Sequence, residues 1–518
     1  MWRGIVWLTT RSSSHPLKTS SKLPDISKIS GVAIADVAKV DGLAKSSILD
    51  INGVAVPSAV VDAFTFAIDT SLGDGTAAFH LPLSGTVNFT VYWGDGNSDT
   101  ITSTSDPAMD HAYASGGTYD IILDGTIGTW NSGTTTDRPK VTDVKKWSTN
   151  FTAGTFGSFT GLTSDTATDY PTVSLSSFYA NCSAFNGDIT NWDTSTTTSL
   201  FQIFDGCTVF NQDIDSWDVS NVTTLYVAFR STSAFNQDLN SWDVSSVTSM
   251  QSAFQNAVAF NGNISSWNVS AVTNMSSAFS GASAFNQNIG SWNVANVTTM
   301  SSMFLNASAF NQNIGSWNVA NVTSMAGMFG TSGFNQDISG WNTSSVTNMS
   351  SMFNRNNVFN QAIGSWDVSS VTNMSGMFFN QSQTTGFNQD LDLWDVSSVT
   401  NMSDMFFAAR AFNGDITTWN TSSVTTMQNM FNVNPSFNQN LGSWNISSLT
   451  NANAMLSGAS AFSTSNYDAL LIGWAAQAPN INTGVTLSGG PQYTSAAVSA
   501  RNVLTSTYSW TIVDGGLA

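Results

Sequence analysis

Carboxylate chemistry in this 518-residue chain rests on aspartate, because the sequence contains no glutamate and all 34 acidic residues are Asp. The most regular of them stand three residues after a recurring phenylalanine: Asp188, Asp213, Asp238, Asn263, Asn288, Asn313, Asp337, Ala362, Asp390, Asp415 and Asn440. Asp or Asn also follows each recurring tryptophan. Oxygen ligands at a fixed period could form a calcium file or a sugar-contacting face. The competing reading is that each side chain bonds the backbone of its own turn. Free exchange of Asp for Asn, and the repulsion of stacked carboxylates, favour turns. No cofactor is therefore expected, calcium being the one considered.

Catalysis has little else to draw on. Histidine occurs only as His15, His80 and His111, and cysteine only as Cys182 and Cys207. Metal centres and Ser/His/Asp sites thus lack their residues. A glycosidase needs two singular carboxylates in a cleft, whereas every unit here offers the same ones. The chain is expected not to be an enzyme. Candidate recognition residues are those that interrupt the uniform repeat: Arg230, Arg355 and Arg410, with Phe379, Asn380 and Gln381 in the longer stretch FFNQSQTTG. The two cysteines lie one period apart, so a disulfide is geometrically possible, but free thiols are favoured because other units carry Ala, Thr or Asn there. The N-x-S/T triplets at Asn296 and Asn321 follow from the repeat text and are not read as glycosylation sites.

The repeat positions all of these residues. Its phenylalanines are Phe185, Phe210, Phe235, Phe260, Phe285, Phe310, Phe334, Phe359, Phe387, Phe412 and Phe437. Seven residues after each comes a tryptophan: Trp192, Trp217, Trp242, Trp267, Trp292, Trp317, Trp341, Trp366, Trp394, Trp419 and Trp444. Such fixed spacing marks a stacked repeat array. A unit of about 25 residues cannot bury these side chains alone, so neighbours must cover one another. Within a unit, Ile289, Trp292, Val294 and Val297 follow a leucine-rich-repeat-like spacing, and Trp-x-Val has the period of a short strand. Met300, Met303 and Phe304 then have helical spacing, with Thr298 or Thr299 as N-cap. Asn211, Asn286 and Asn311 suggest an internal asparagine file. The predicted fold is mainly β with short helices: a leucine-rich-repeat-like parallel β-solenoid preceded by a β-sandwich.

Five segments are expected: a glycine-punctuated docking segment (1–58), a β-sandwich (59–138), irregular coils (139–184), eleven repeats (185–461) and a C-terminal cap of two short helices (462–518). Eleven of the fifteen Lys and Arg precede Trp147, including Lys18, Lys22, Lys28, Lys39 and Lys45. Residues 185–461 contain three Arg and fifteen Asp, a net charge of −12. Such a surface repels phosphate backbones, so nucleic acid is not an expected partner. No apolar run is long enough to span a membrane. The opening MWRGIVWLTT is too short in its apolar core for a secretory signal.

The text FNQDI-x-SWDVS-x-VT-x-M-x-x-MF, with the tail YTSAAVSARNVL…WTIVDGG, resembles BspA-like bacterial surface proteins. The stretch Tyr92-Trp93-Gly94-Asp95-Gly96, followed by His111-Ala112-Tyr113, resembles a PKD-type domain, in which Asp95 and His111 would be structural. The leader is similar to N-terminal segments of tailed-phage structural proteins. These resemblances imply a non-enzymatic, surface-displayed protein of a virion: a tail fibre, appendage or decoration that attaches to host surfaces. It would be held to other virion proteins through residues 1–58, homo-oligomeric in its assembly, with a host glycan or protein as ligand. The alternative is a bacterial cell-surface adhesin, and the plainest competitor is a spacer that needs only stiffness.

Overall fold

The structure is a computed structural model that describes residues 62–131, 136–380 and 386–518, and the backbone of four short strands before them. Those four form antiparallel pairs: β1 (Lys28–Ile29) with β2 (Val32–Ala33), and β3 (Leu49–Ile51) with β4 (Val54–Val56). The rest of the expected docking segment 1–58, and Gln381, lie outside the described residues.

Alternation of apolar and polar residues builds the first body. In β5 (Phe64–Asp69), Phe64, Phe66 and Ile68 are fully buried, as the two-residue period of a strand requires. Strands β6 (Ala78–His80), β7 (Leu83–Ser84), β8 (Asn88–Tyr92), β9 (Ser98–Ile101), β10 (Asp110–Ala112), β11 (Thr118–Thr126), β12 (Thr129–Trp130), β13 (Val141–Lys146) and β14 (Ser164–Asp165) come next along the chain. Six of these strands make one mixed sheet in the order β14-β13-β5-β11-β8-β9, in which only the β13–β14 pair is parallel. Two two-stranded pairs, β6–β10 and β7–β12, complete it. The Trp93-Gly94-Asp95-Gly96 turn needs its first glycine: φ is +81°, and a Cβ there would stand 2.6 Å from the Asp120 carbonyl oxygen, a position no other residue can take. Residues 139–184, expected as irregular coils, supply β13 and β14 to this sheet.

The expected parallel β-solenoid does not form. Between Asp165 and Thr464 the described residues contain no strand and no helix; the sheets are small, mixed and confined to the ends of the chain. Neighbouring repeats touch through single-residue parallel bridges, such as Ser249↔Asn274, Asn274↔Thr299 and Thr299↔Ser324. The bridging position carries Thr, Ser or Asn from unit to unit. The Trp-x-Val stretch cannot extend into a strand because Asx turns flank it. Asn288 Oδ1 accepts from the Gly290 N–H (3.1 Å), and Asn293 Oδ1 accepts from the Ala295 N–H (3.2 Å).

The expected helical turn is also replaced. The Met303 N–H bonds the Met300 carbonyl (3.1 Å), but Ser302 and Asn306 are left-handed, at φ 55° and 61°. Alternate peptides therefore swing outward, and the N–H groups of Met300, Ser302, Phe304 and Asn306 donate to Ser324, Ala326, Met328 and Gly330 of the next unit. Apolar spacing that reads as a helix arises here from paired turns. Thr298, expected as an N-cap, instead donates its N–H and its Oγ1 to the Thr273 carbonyl (2.9 and 3.1 Å). The asparagine file forms, but it is exposed: the Asn311 N–H donates to Asn286 Oδ1 at 3.0 Å.

The same contacts carry the array into its C-terminal closure. Helix α1 (Thr464–Ala475) is N-capped by Ser463, whose own N–H donates to Asn438 Oδ1. Phe462 stacks on Phe437 at 5.9 Å, and the Trp474 indole of α1 donates to the Leu441 carbonyl at 3.0 Å. β15 (Thr486–Gly490) takes the next bridge from Ala452 and pairs in parallel with β16 (Thr511–Asp514). Arg501 of α2 (Val498–Asn502) then bonds the Ile512 carbonyl and the Asp514 carboxylate. One buried apolar cluster runs from Phe64 to Trp510. No helix among the described residues is long and apolar enough to cross a membrane.

Candidate functional site

The regular carboxylates and amides are engaged in turns. Asp193 Oδ1 accepts from the Ser195 N–H (3.0 Å) and hydroxyl (2.6 Å), and Asp218 does the same with Ser220. The serine hydroxyl, with the backbone N–H, holds each carboxyl below its ordinary range. Among the described residues no three His, Cys or Asp side chains are grouped as a metal-ligand set. His111 Nε2 lies 2.9 Å from Asp95 Oδ2, and its ring stacks on Trp93 at 4.5 Å. Cys182 and Cys207 are buried free thiols, each donating to a backbone carbonyl, of Phe156 and Tyr179 respectively.

The expected recognition residues do not converge on one site. Arg230 forms a two-point pair with Asp205, Nε to Oδ1 at 2.8 Å, and so ties adjacent units together. Arg355 is exposed and left-handed, with its guanidinium carbon 5.5 Å from the centre of the Phe379 ring. Phe379 stacks in turn on Phe407 at 4.8 Å. Phe379, half-buried, is thus engaged by both Arg355 and Phe407. Asn380 is buried, and its N–H donates to the Phe407 carbonyl. Arg410, in the following unit, has a buried Nε with no hydrogen-bond partner among the described residues.

The eleven tryptophans are buried and form a file. Ten of them, Trp217 to Trp444, donate the indole N–H to an Ile or Leu carbonyl of the preceding unit at 2.7–3.3 Å. Trp192, first in the file, has no preceding repeat and no indole partner among the described residues. It lines a hollow of about 540 Å³ between the β14 edge and the first two units, together with Asp165, Tyr170, Asp188, Asn191 and Gln212. Asp165, which is almost wholly buried, accepts from the Tyr179 hydroxyl (2.9 Å), the Trp147 indole (3.2 Å) and the Ala167 N–H (3.2 Å). Burial outweighs these bonds and pushes its carboxyl up to about 7. A second hollow of about 750 Å³ shares Asn191 and continues past Asp215 and Trp217. Neither hollow was singled out from the sequence, in which Trp192 reads like its ten successors.

The repeats match a family described as Mycoplasma proteins of unknown function, DUF285, over residues 173–292, 224–333, 330–386 and 379–474. Together these segments cover 302 of the 518 residues. The chain belongs to this family. The DUF285 matches take in every repeat tryptophan and nearly all of helix α1, and leave the front sheet and the segment after 474 outside. No curated protein and no solved structure matches the chain.

Proposed function

We propose that the chain is a non-enzymatic structural and adhesive protein displayed on a virion as a tail fibre, appendage or decoration, anchored through residues 1–58 and presenting its repeats to host surfaces. The observation that carries this reading is the use of the repeat's polar chemistry: Asx turns, the asparagine file and the indole file all hold one unit to itself or to the next. Such an array supplies length, stiffness and a repeated surface suited to multivalent contact. The charge division supports it as well. Residues 1–58 contain seven Lys or Arg and four Asp, whereas the remaining residues contain eight and thirty. Resemblance of the leader to phage structural segments, and of the repeat to BspA-like surface text, points the same way.

One observation favours the second reading, a cell-surface adhesin: the DUF285 description names a cellular bacterium. Mass spectrometry of purified particles and of envelope fractions from the producing cells separates the two. Stoichiometric presence in particles is the expected result. Presence in envelopes alone would move the protein to the bacterial surface. Deleting residues 1–58 should leave a soluble array that no longer enters particles, and normal incorporation of that truncation would overturn the anchor.

A further inference from the structure

We infer that the hollow at the head of the repeat array is a binding site for a neutral, hydroxyl-rich oligosaccharide, with the free Trp192 indole N–H as its fixed donor and Tyr170 as its stacking surface. Trp192 lines the hollow and is 8% exposed, and its indole N–H, open to solvent, has no protein acceptor among the described residues. In the ten later units the same group is satisfied by a backbone carbonyl, 3.0 Å from Ile189 in the case of Trp217. A donor left without a protein acceptor is available to a ligand that supplies one.

The remaining lining suits sugar hydroxyls. Tyr170 is 40% exposed, and its hydroxyl makes a long contact, 3.5 Å, to Asp193. Gln212 uses its Nε2 on the Asn186 carbonyl, which leaves its amide oxygen as an acceptor. Asp188 commits Oδ1 to Thr190 and leaves Oδ2 to accept from a ligand hydroxyl. The continuation past Asn191 into the second, open hollow gives room for several sugar rings along the surface. Asp188, Asp213, Asp215 and Asp218 border the two hollows and oppose an anionic glycan. A cation would leave the indole donor unmet.

This deepens the adhesive reading above and rests on it only for where the saccharide is encountered. The test titrates the full chain with chitotetraose, cellotetraose and maltotetraose, read by tryptophan fluorescence and saturation-transfer NMR, with trigalacturonate and a neutral Gly-Ser octapeptide as comparisons. At least one neutral tetrasaccharide should bind while trigalacturonate and the peptide do not. Tyr170→Ala, and separately Trp192→Phe, which keeps an aromatic ring but removes the N–H, should each weaken binding by about tenfold. Trp292→Phe, deep in the array, should leave it unchanged. Failure of all three tetrasaccharides, equal binding of trigalacturonate or the peptide, or indifference to both head substitutions would overturn the site. Binding by a chain found only in cell envelopes would keep the site and remove the virion reading.

Discussion

At the scale of single residues, position in the file decides what a side chain costs or contributes. Trp292→Phe removes the indole donor from the Ile264 carbonyl, which keeps only the Trp267 N–H, and loss of such a bond destabilises by about 0.5–1.5 kcal/mol. A lowered urea midpoint is the expected readout. Asp165 acts in the opposite sense. Its carboxyl is raised to about 7 from an ordinary 3.8, so the folded state binds the proton more tightly than the unfolded chain does. Its contribution is therefore fully present below the unfolded value and lost as pH rises through 7. Stability should increase by about 3 kcal/mol from pH 8 to pH 4.5, and Asp165→Asn should flatten that rise. Below pH 4 the trend reverses, because Asp193, Asp218 and Asp243 titrate below their ordinary range. Their contribution is present above the unfolded value and disappears as acid protonates them in the folded chain. Thermal melts at half-unit pH steps should show a maximum between the two regimes.

At the scale of elements, the left-handed positions are the strained parts of each unit. Gly281, Asn306 and Gly458 meet this requirement easily, but Val433, at φ 60°, does not. A β-branched residue is poorly suited to that region, at a cost of roughly 1–2 kcal/mol. Val433→Asn should therefore raise the melting temperature, since Asn already occupies the equivalent positions at 256 and 306. In the front sheet the corresponding liability is Lys140. Its fully buried ammonium lies 2.9 Å from Asp74 and 3.2 Å from Asp137 and donates to the Ala78 carbonyl. Lys140→Met removes the cation from beside the buried Asp137, a change expected to destabilise by about 3 kcal/mol in denaturant unfolding.

At the scale of the whole molecule, each unit is stable only because something covers it. The last repeat is covered by Phe462, Trp474 and β15. Deleting residues 462–518 would expose Phe437, Leu441 and Trp444, all buried in the intact chain. Light scattering after size exclusion should then show association of the truncated chain, because open ends of repeat arrays are aggregation surfaces. A monodisperse truncation would mean that the repeats close themselves. The front end differs in kind. There β14 and the segment that follows it cover the first unit, with the N–H groups of Ser177, Tyr179 and Asn181 donating to the Phe201, Ile203 and Asp205 carbonyls, and the hollow lies beside Trp192.

The period, the tryptophan and phenylalanine files and the turn role of Asp and Asn are legible in the amino-acid order alone, because each depends on a residue type recurring at one offset. Strand against turn is not. Ile289, Trp292, Val294 and Val297 have the spacing of an extended coil, but the Asx turns at Asn288 and Asn293 and the left-handed Ser302 and Asn306 leave about one bridging residue per unit. The left-handed positions gave no signal, since Gln202, Ser252, Asp404 and Ala454 all occupy the first of them. The candidate site emerged only from the packing of the front sheet on the first unit. Trp192 is written like the other ten, but β14 stands where the preceding unit's Ile or Leu carbonyl would be, and its N–H has no carbonyl partner among the described residues.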